Sequence, residues 1–294
     1  MFNALFSFRS FLYLLYAVAL TALLLYVRFP TEKFKSYCEY RVEQVVKNGK
    51  CSIAKIGYHF PASIELSKVR ITKTVDDKQS SILFDRLKIS TGVKDFRPFW
   101  NIDGDFYGGM FQAEANVDFK KKSLYLGNIV IENVDLAAVT ANIASFDREI
   151  SSTVSFTGEY KTTFSKLLAG NGSGNLRFID GTVGLVQKIL MLDSIEFEEI
   201  DILCKYENKT FQITDGKMLG FQLDADFAGA LQGPLLPPKG ALDITGFLVP
   251  NEAYLTEQPQ VARIVDRLMK RYKKSAVPFR VGGTLNKPTF RLSL

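Results

Sequence analysis

Phe111-Gln-Ala-Glu-Ala-Asn-Val-Asp-Phe119 alternates apolar and polar residues without a break. Phe111, Ala113, Ala115, Val117 and Phe119 point one way; Gln112, Glu114, Asn116 and Asp118 point the other. A period of two is the signature of a strand with one face on a core and one in water. Outward from this stretch the pattern recurs. Leu219, Phe221, Leu223, Ala225 and Phe227 alternate with Gly220, Gln222, Asp224 and Asp226, and Phe279, Val281, Phe290, Leu292 and Leu294 do the same near the end. Two stretches change phase part-way: Ile64 and Leu66 give way to Val69 and Ile71, and Ile195 and Phe197 to Ile200 and Ile202. Such slips predict β-bulges, which bend and twist a sheet. Asp103-Gly104, Gly108-Gly109, Asn171-Gly172, Asp180-Gly181 and Asp215-Gly216 predict hairpin turns. The expected fold class is mainly β: a long, curved antiparallel sheet with one apolar face.

Residues 10–27 break the pattern. They hold no charge and no proline and are closed by Arg9 and Arg28. As a helix the run reaches about 27 Å, close to the thickness of a bilayer's hydrocarbon core. The exit, Leu24-Leu25-Tyr26-Val27-Arg28-Phe29-Pro30, has no small residues at the spacing of a signal-peptide cleavage site. A retained single transmembrane anchor over 10–28 is the expectation, against a cleaved peptide or a buried core helix. Tyr13, Tyr16 and Tyr26 lie towards its ends, where amphipathic rings favour the interface. Orientation stays open. Arg28, Lys33 and Lys35 outnumber Arg9 and the α-amine, which favours a cytoplasmic body, but a short N-terminal tail tends to stay inside.

Three further stretches read as short amphipathic helices. The first, after Pro30, covers about 31–47 within a linking segment 29–48; Thr31 is its expected N-cap, and Phe34, Cys38, Val42, Val45 and Val46 share a face. The second covers about 135–147, with Leu136, Val139 and Ile143 on one side. The third starts at Pro259 and runs to about 274, with Val261, Ile264, Val265, Leu268 and Tyr272 as its stripe. Its other faces carry Arg263, Arg267, Lys270, Arg271, Lys273 and Lys274 against a single Asp266. That basic surface either meets an anionic membrane or an acidic partner, or is simply solvated while the stripe packs on the sheet.

The chain holds 294 residues, 47% apolar and 23% charged, and its formal charge of +6 is partly local to that helix. No nucleic-acid motif accompanies the charge, so no nucleic-acid partner is expected. Three cysteines are too few for a disulfide scaffold, and there is no Cys-x-x-Cys for zinc or redox chemistry. Cys38 and Cys51 either bridge the first helix to the first strand in an oxidising compartment or are buried thiols, as Cys204 is expected to be. The single histidine, His59, has no nucleophile or carboxylate constellation around it in sequence. Gly170-Asn-Gly-Ser-Gly174 lacks the Lys-Ser/Thr of a phosphate loop, and Glu196, Glu198, Glu199 and Asp201 read as a solvated face rather than a cation site. No catalytic residue, metal site or cofactor is expected, and the chain reads as a non-enzyme.

The closing segment, Val277-Pro-Phe-Arg-Val-Gly-Gly-Thr-Leu-Asn-Lys-Pro-Thr-Phe-Arg-Leu292, resembles the terminal strand pair of AsmA-like proteins, and Gly229-Ala-Leu-Gln-Gly-Pro234 is a looser echo. Together with the anchor, Phe29-Pro30, the short helix and the length of the β body, it is similar in layout to the type II secretion system protein N (GspN) family in its AsmA-like form. The resemblance implies a cytoplasmic tail over 1–9, a single pass through the inner membrane of a double-membraned bacterium, and a periplasmic AsmA-like β domain over 49–294. It implies a non-enzymatic accessory role beside other type II secretion system subunits, with the sheet docking partners. It also implies an alternative: lipid binding or transfer along a lengthwise apolar groove, with phospholipid as ligand. The expected groove lining is Phe111, Val117, Phe119, Leu219, Phe221, Leu223 and Phe227.

Overall fold

Strand follows strand with short reversals, so each pairs with its neighbour in the chain. In the computed structural model, fourteen strands form one sheet in strict sequence order, and every adjacent pair is antiparallel. The structure describes residues 8–27, 30–46, 49–59, 63–75, 78–94, 97–143, 149–167, 169–233, 240–272, 276–285 and 287–292. Two helices come first, α1 (Phe8–Val27) and α2 (Thr31–Val45). The first six strands are β1 (Gly49–His59), β2 (Ser63–Val75), β3 (Lys78–Lys94), β4 (Arg97–Phe106), β5 (Gly109–Asp118) and β6 (Ser123–Asp135). Helix α3 (Leu136–Ala141) leads to β7 (Ile150–Thr163), β8 (Asn171–Ile189), β9 (Leu192–Glu207), β10 (Thr210–Gly220), β11 (Leu223–Gln232) and β12 (Ala241–Pro250). Helices α4 (Glu252–Glu257) and α5 (Pro259–Tyr272) precede the last pair, β13 (Val277–Gly283) and β14 (Pro288–Leu292). At about 4.8 Å per strand the order spans roughly 60 Å along its hydrogen bonds.

The mainly β class is thus observed, and its curvature has two sources. Register shifts mark bulges in β5–β6, β6–β7, β7–β8 and at two places in the β9–β10 pairing. Lys68, Asn128, Asn133 and Asp180 also stand inside strands with φ between 48° and 57°, a left-handed conformation that Asn and Asp tolerate best. The slip around Ile195–Ile202 coincides with the shift where Leu219 faces Glu199 but Gly220 faces Phe197. The slip around Ile64–Ile71 is not a bulge. Ser67 pairs Arg86 and Val69 pairs Phe84, so the register runs on unchanged across Lys68, whose φ of 50° reverses the facing instead.

Of the five expected turns only Gly108-Gly109 marks one: the β4–β5 hairpin turns through Tyr107 and Gly108, both at positive φ. Asp103-Gly104, Asn171-Gly172, Asp180-Gly181 and Asp215-Gly216 lie inside β4, β8, β8 and β10. Close packing explains two of these glycines. A Cβ on Gly181 would meet the Phe197 ring, and one on Gly216 the Phe227 ring.

The helices differ from expectation in extent. Thr31 opens α2, but the cap position is Pro30 and no side chain caps the turn. Phe34, Cys38 and Val42 pack against a core of Cys51, Ile53, Ile56, Leu66 and Val69, whereas Val45 is exposed. The second helix is only the six residues of α3, capped by Asp135, whose carboxylate accepts from Ala137 and Ala138; 144–148 lie outside the described residues. In α5, Val261 and Val265 are fully buried, but Ile264 is exposed rather than part of the stripe, and the Tyr272 side chain lies outside the described residues. Helix α4 was not expected.

Helix α1 spans 20 residues, about 30 Å. Its side chains are described for Ser10–Thr21 and Leu24, and all are exposed. Among the described residues no helix is long and apolar enough to cross a membrane, so the described structure does not support the expected single-pass anchor over 10–28. The ends of the expected anchor and the tail 1–7 lie outside the described residues.

Candidate functional site

Cross-strand partners share a face, and on one face of β10–β14 they are almost all apolar. Ala225 pairs Met218 on one side and Leu248 on the other. Ile244 pairs Val281, and Val281 pairs Phe290. The long β8–β9 hairpin supplies the opposing wall, because β8 runs on past its pairing with β7, which ends at Val183. Between these walls lies a cavity of about 430 Å³, within the usual size range for small-ligand pockets. Val183, Leu185, Ile195, Phe227, Val281 and Phe290 are among its lining, and Gln187 is the one polar side chain there among the described residues.

Helices α4 and α5 pack beside one end. Val261, Val265 and Tyr254 form a buried cluster with Leu223, Ala225, Leu248, Val277 and Phe279, and four of these also line the cavity. The Tyr254 hydroxyl donates to the Leu190 carbonyl at 2.7 Å, and burial pushes its pKa up. The strand edges differ. Glu39 and Glu43 of α2 accept from the backbone N–H groups of Ile53 (2.8 Å) and Cys51 (3.2 Å), covering the first part of the outer edge of β1. The outer edge of β14 has no strand partner among the described residues.

The expected groove residues do not come together. Leu223 and Phe227 line the cavity. Phe111 and Val117 are half-buried on β5 and take no part in that lining. Phe119 falls beyond the end of β5, 73% exposed, with its ring 6.4 Å from that of Phe164. Leu219 and Phe221 are 52% and 54% exposed. The stretch 219–227 is not one strand: β10 and β11 reverse at Phe221-Gln222. Met218 pairs Ala225, so Leu219 faces away from the cavity that Leu223 lines. Val183, Leu185, Ile189 and Ile244, which the sequence does not single out, supply the site instead, together with Ile195 and Val281, read there only as strand residues.

Cys38 and Cys51 are both free thiols, not a disulfide. Burial, with Glu39, Glu43 and Cys38 adding to it, pushes Cys51 up to about 11. Burial, then Glu39, also raises Cys38. Cys204 is buried, its thiol raised by burial and set 3.3 Å from the Gly174 carbonyl to which it donates. Arg263, Arg267 and Lys270 are exposed on α5; the side chain of Arg271 and all of Lys274 lie outside the described residues. His59 is exposed, 3.9 Å from Glu65. Glu199 is engaged by Arg177 at 2.7 Å. Among the described residues no group of His, Cys, Asp and Glu is placed to hold a metal ion.

No family model matches the chain, and no curated protein or solved structure matches it either.

Proposed function

We propose that the chain is a non-enzymatic, membrane-anchored envelope protein whose curved sheet holds a lipid acyl chain in the cavity between the β8–β9 hairpin and β10–β14. The observation that carries this reading is the cavity: about 430 Å³ with, among the described residues, one polar side chain in its lining. An apolar chain is the ligand whose desolvation such a wall rewards. Burying about ten methylenes gains roughly 8 kcal/mol before the cost of ordering them. The anchor is taken from the charge-free run 10–27 of the sequence; the described side chains of α1 from Phe11 to Leu20 are apolar and exposed, although that described stretch alone is not long and apolar enough to cross a bilayer. An inner-membrane location, with a cytoplasmic N-terminus and a periplasmic body, rests on the resemblance described above.

A second reading, accessory docking beside other type II secretion system subunits, is favoured by the unequal edges. Glu39 and Glu43 occupy two N–H groups at the start of β1's outer edge, whereas the outer edge of β14 has no strand partner among the described residues and is the more open edge for a partner's strand.

Native mass spectrometry of the detergent-extracted full chain tests the first reading. Phospholipid is expected to accompany the wild type and Phe221→Asp, and to be absent from Val281→Glu. Ile244→Trp, which fills the cavity without adding charge, is expected to exclude it too. A folded Val281→Glu or Ile244→Trp chain that keeps its lipid, or a wild type that carries none, overturns the proposal.

A further inference from the structure

Helix α5 presents two unlike faces. Val261 and Val265 are sunk into the cluster that ends the cavity. Arg263, Arg267 and Lys270 stand at i, i+4 and i+7, which places them in one ridge on the opposite side. The single acid of the helix, Asp266, is engaged by Lys270 at 2.7 Å. Among the described residues neither Arg263 nor Arg267 has an ion pair; Arg263 reaches only the Pro259 carbonyl, at 3.4 Å. Ile264, 46% exposed, stands beside the ridge.

The ridge also has a definite place. It belongs to the β11–β13 end of a sheet laid out in chain order, while α2 packs at the β1 end. The cations therefore lie next to the cavity, at the other end of the strand order from α2.

We propose that the outer face of α5 docks on an anionic phospholipid surface. Cations at one-turn spacing with an aliphatic side chain among them match a charged, yielding interface. Arg263 and Arg267 carry no ion pair among the described residues, so their charge is open to a broad anionic surface. Attraction of this kind acts over about a Debye length and is weakened by salt. The inference does not depend on the contents of the cavity.

The test uses the full chain held in phosphatidylcholine nanodiscs, so that α1 is already occupied, and sediments it with added vesicles. Binding is expected to vesicles carrying about 30% phosphatidylglycerol, not to pure phosphatidylcholine, and is expected to disappear when salt is raised from roughly 0.1 M to several times that. Arg263→Gln with Arg267→Gln is expected to lower partitioning about 25-fold, and Arg263→Lys with Arg267→Lys to preserve it. Should the glutamine pair fail to fold, Lys270→Gln, expected to weaken partitioning about fivefold, carries the test. Unchanged binding in the folded glutamine variants overturns the proposal. So does loss of binding in the lysine pair, or capture of polyglutamate while anionic vesicles are ignored. Absence of lipid from the cavity in mass spectrometry leaves these expectations unchanged.

Discussion

The Tyr254 hydroxyl reaches across 64 residues to the Leu190 carbonyl, 2.7 Å away, and ties the tip of the β8–β9 hairpin to α4. That tip is unusual: Leu190 and Met191 both have positive φ, at 48° and 68°. Bulky residues occupy this conformation only where surrounding contacts enforce it. Tyr254→Phe keeps the ring in its cluster and removes the one bond. The expected loss is about 1 kcal/mol by denaturant titration, with faster hydrogen exchange concentrated at 189–192. Uniform acceleration across the sheet would contradict the role of this latch.

Glu39 and Glu43 occupy N–H groups that would otherwise template another strand. Glu39→Ala with Glu43→Ala is expected to expose the β1 edge and to leave the Ile53 N–H unpaired, a cost of about 1–3 kcal/mol. Light scattering of the detergent-solubilised chain is expected to show concentration-dependent association that the wild type lacks.

Gly181→Ala sets a methyl group against the Phe197 ring, itself 1% exposed, and 2.7 Å from the Ser151 carbonyl oxygen. Neither neighbour is the free end of a flexible chain. Destabilisation of about 1–3 kcal/mol is expected, measured as a lower midpoint in urea with an unchanged slope.

Burial raises the Cys51 thiol from 9.0 to about 11. The folded state therefore holds its proton more tightly than the unfolded chain. The resulting contribution is intact below pH 9 and is lost as pH rises through 11, a change on the order of 2 kcal/mol. Melting followed from pH 8 to 11 is expected to fall more steeply for the wild type than for Cys51→Ala. Parallel curves would refute it.

The sheet was legible where alternation is strict. In β5, Ala113 and Ala115 are buried and Gln112 and Asn116 exposed, as the pattern of period two requires. The same rule misled at 219–227. A two-residue hairpin returns the chain antiparallel, so odd-numbered residues before it face opposite to odd-numbered residues after it. Nothing in Phe221-Gln222 signals a reversal, and neither does Leu190-Met191. Conversely, Asp180-Gly181 and Asp215-Gly216 carry the chemistry of turns but serve bends within strands, because Asp and Gly relieve the same backbone strain in both settings. The cavity was out of reach for another reason. Val183 and Val281 share it only because the sheet curls over about six strands, a sum of small local twists that no short window contains.

Because no strand has to wait for a distant partner, the sheet can grow by accretion as a nascent chain emerges. Each new hairpin finds its template already standing, and the closing latch at Tyr254 comes only after β12 is laid down. Neighbour-only pairing keeps loop-closure costs low at every step. A β body built this way can assemble strand by strand from β1 onward, at the pace at which its chain is delivered.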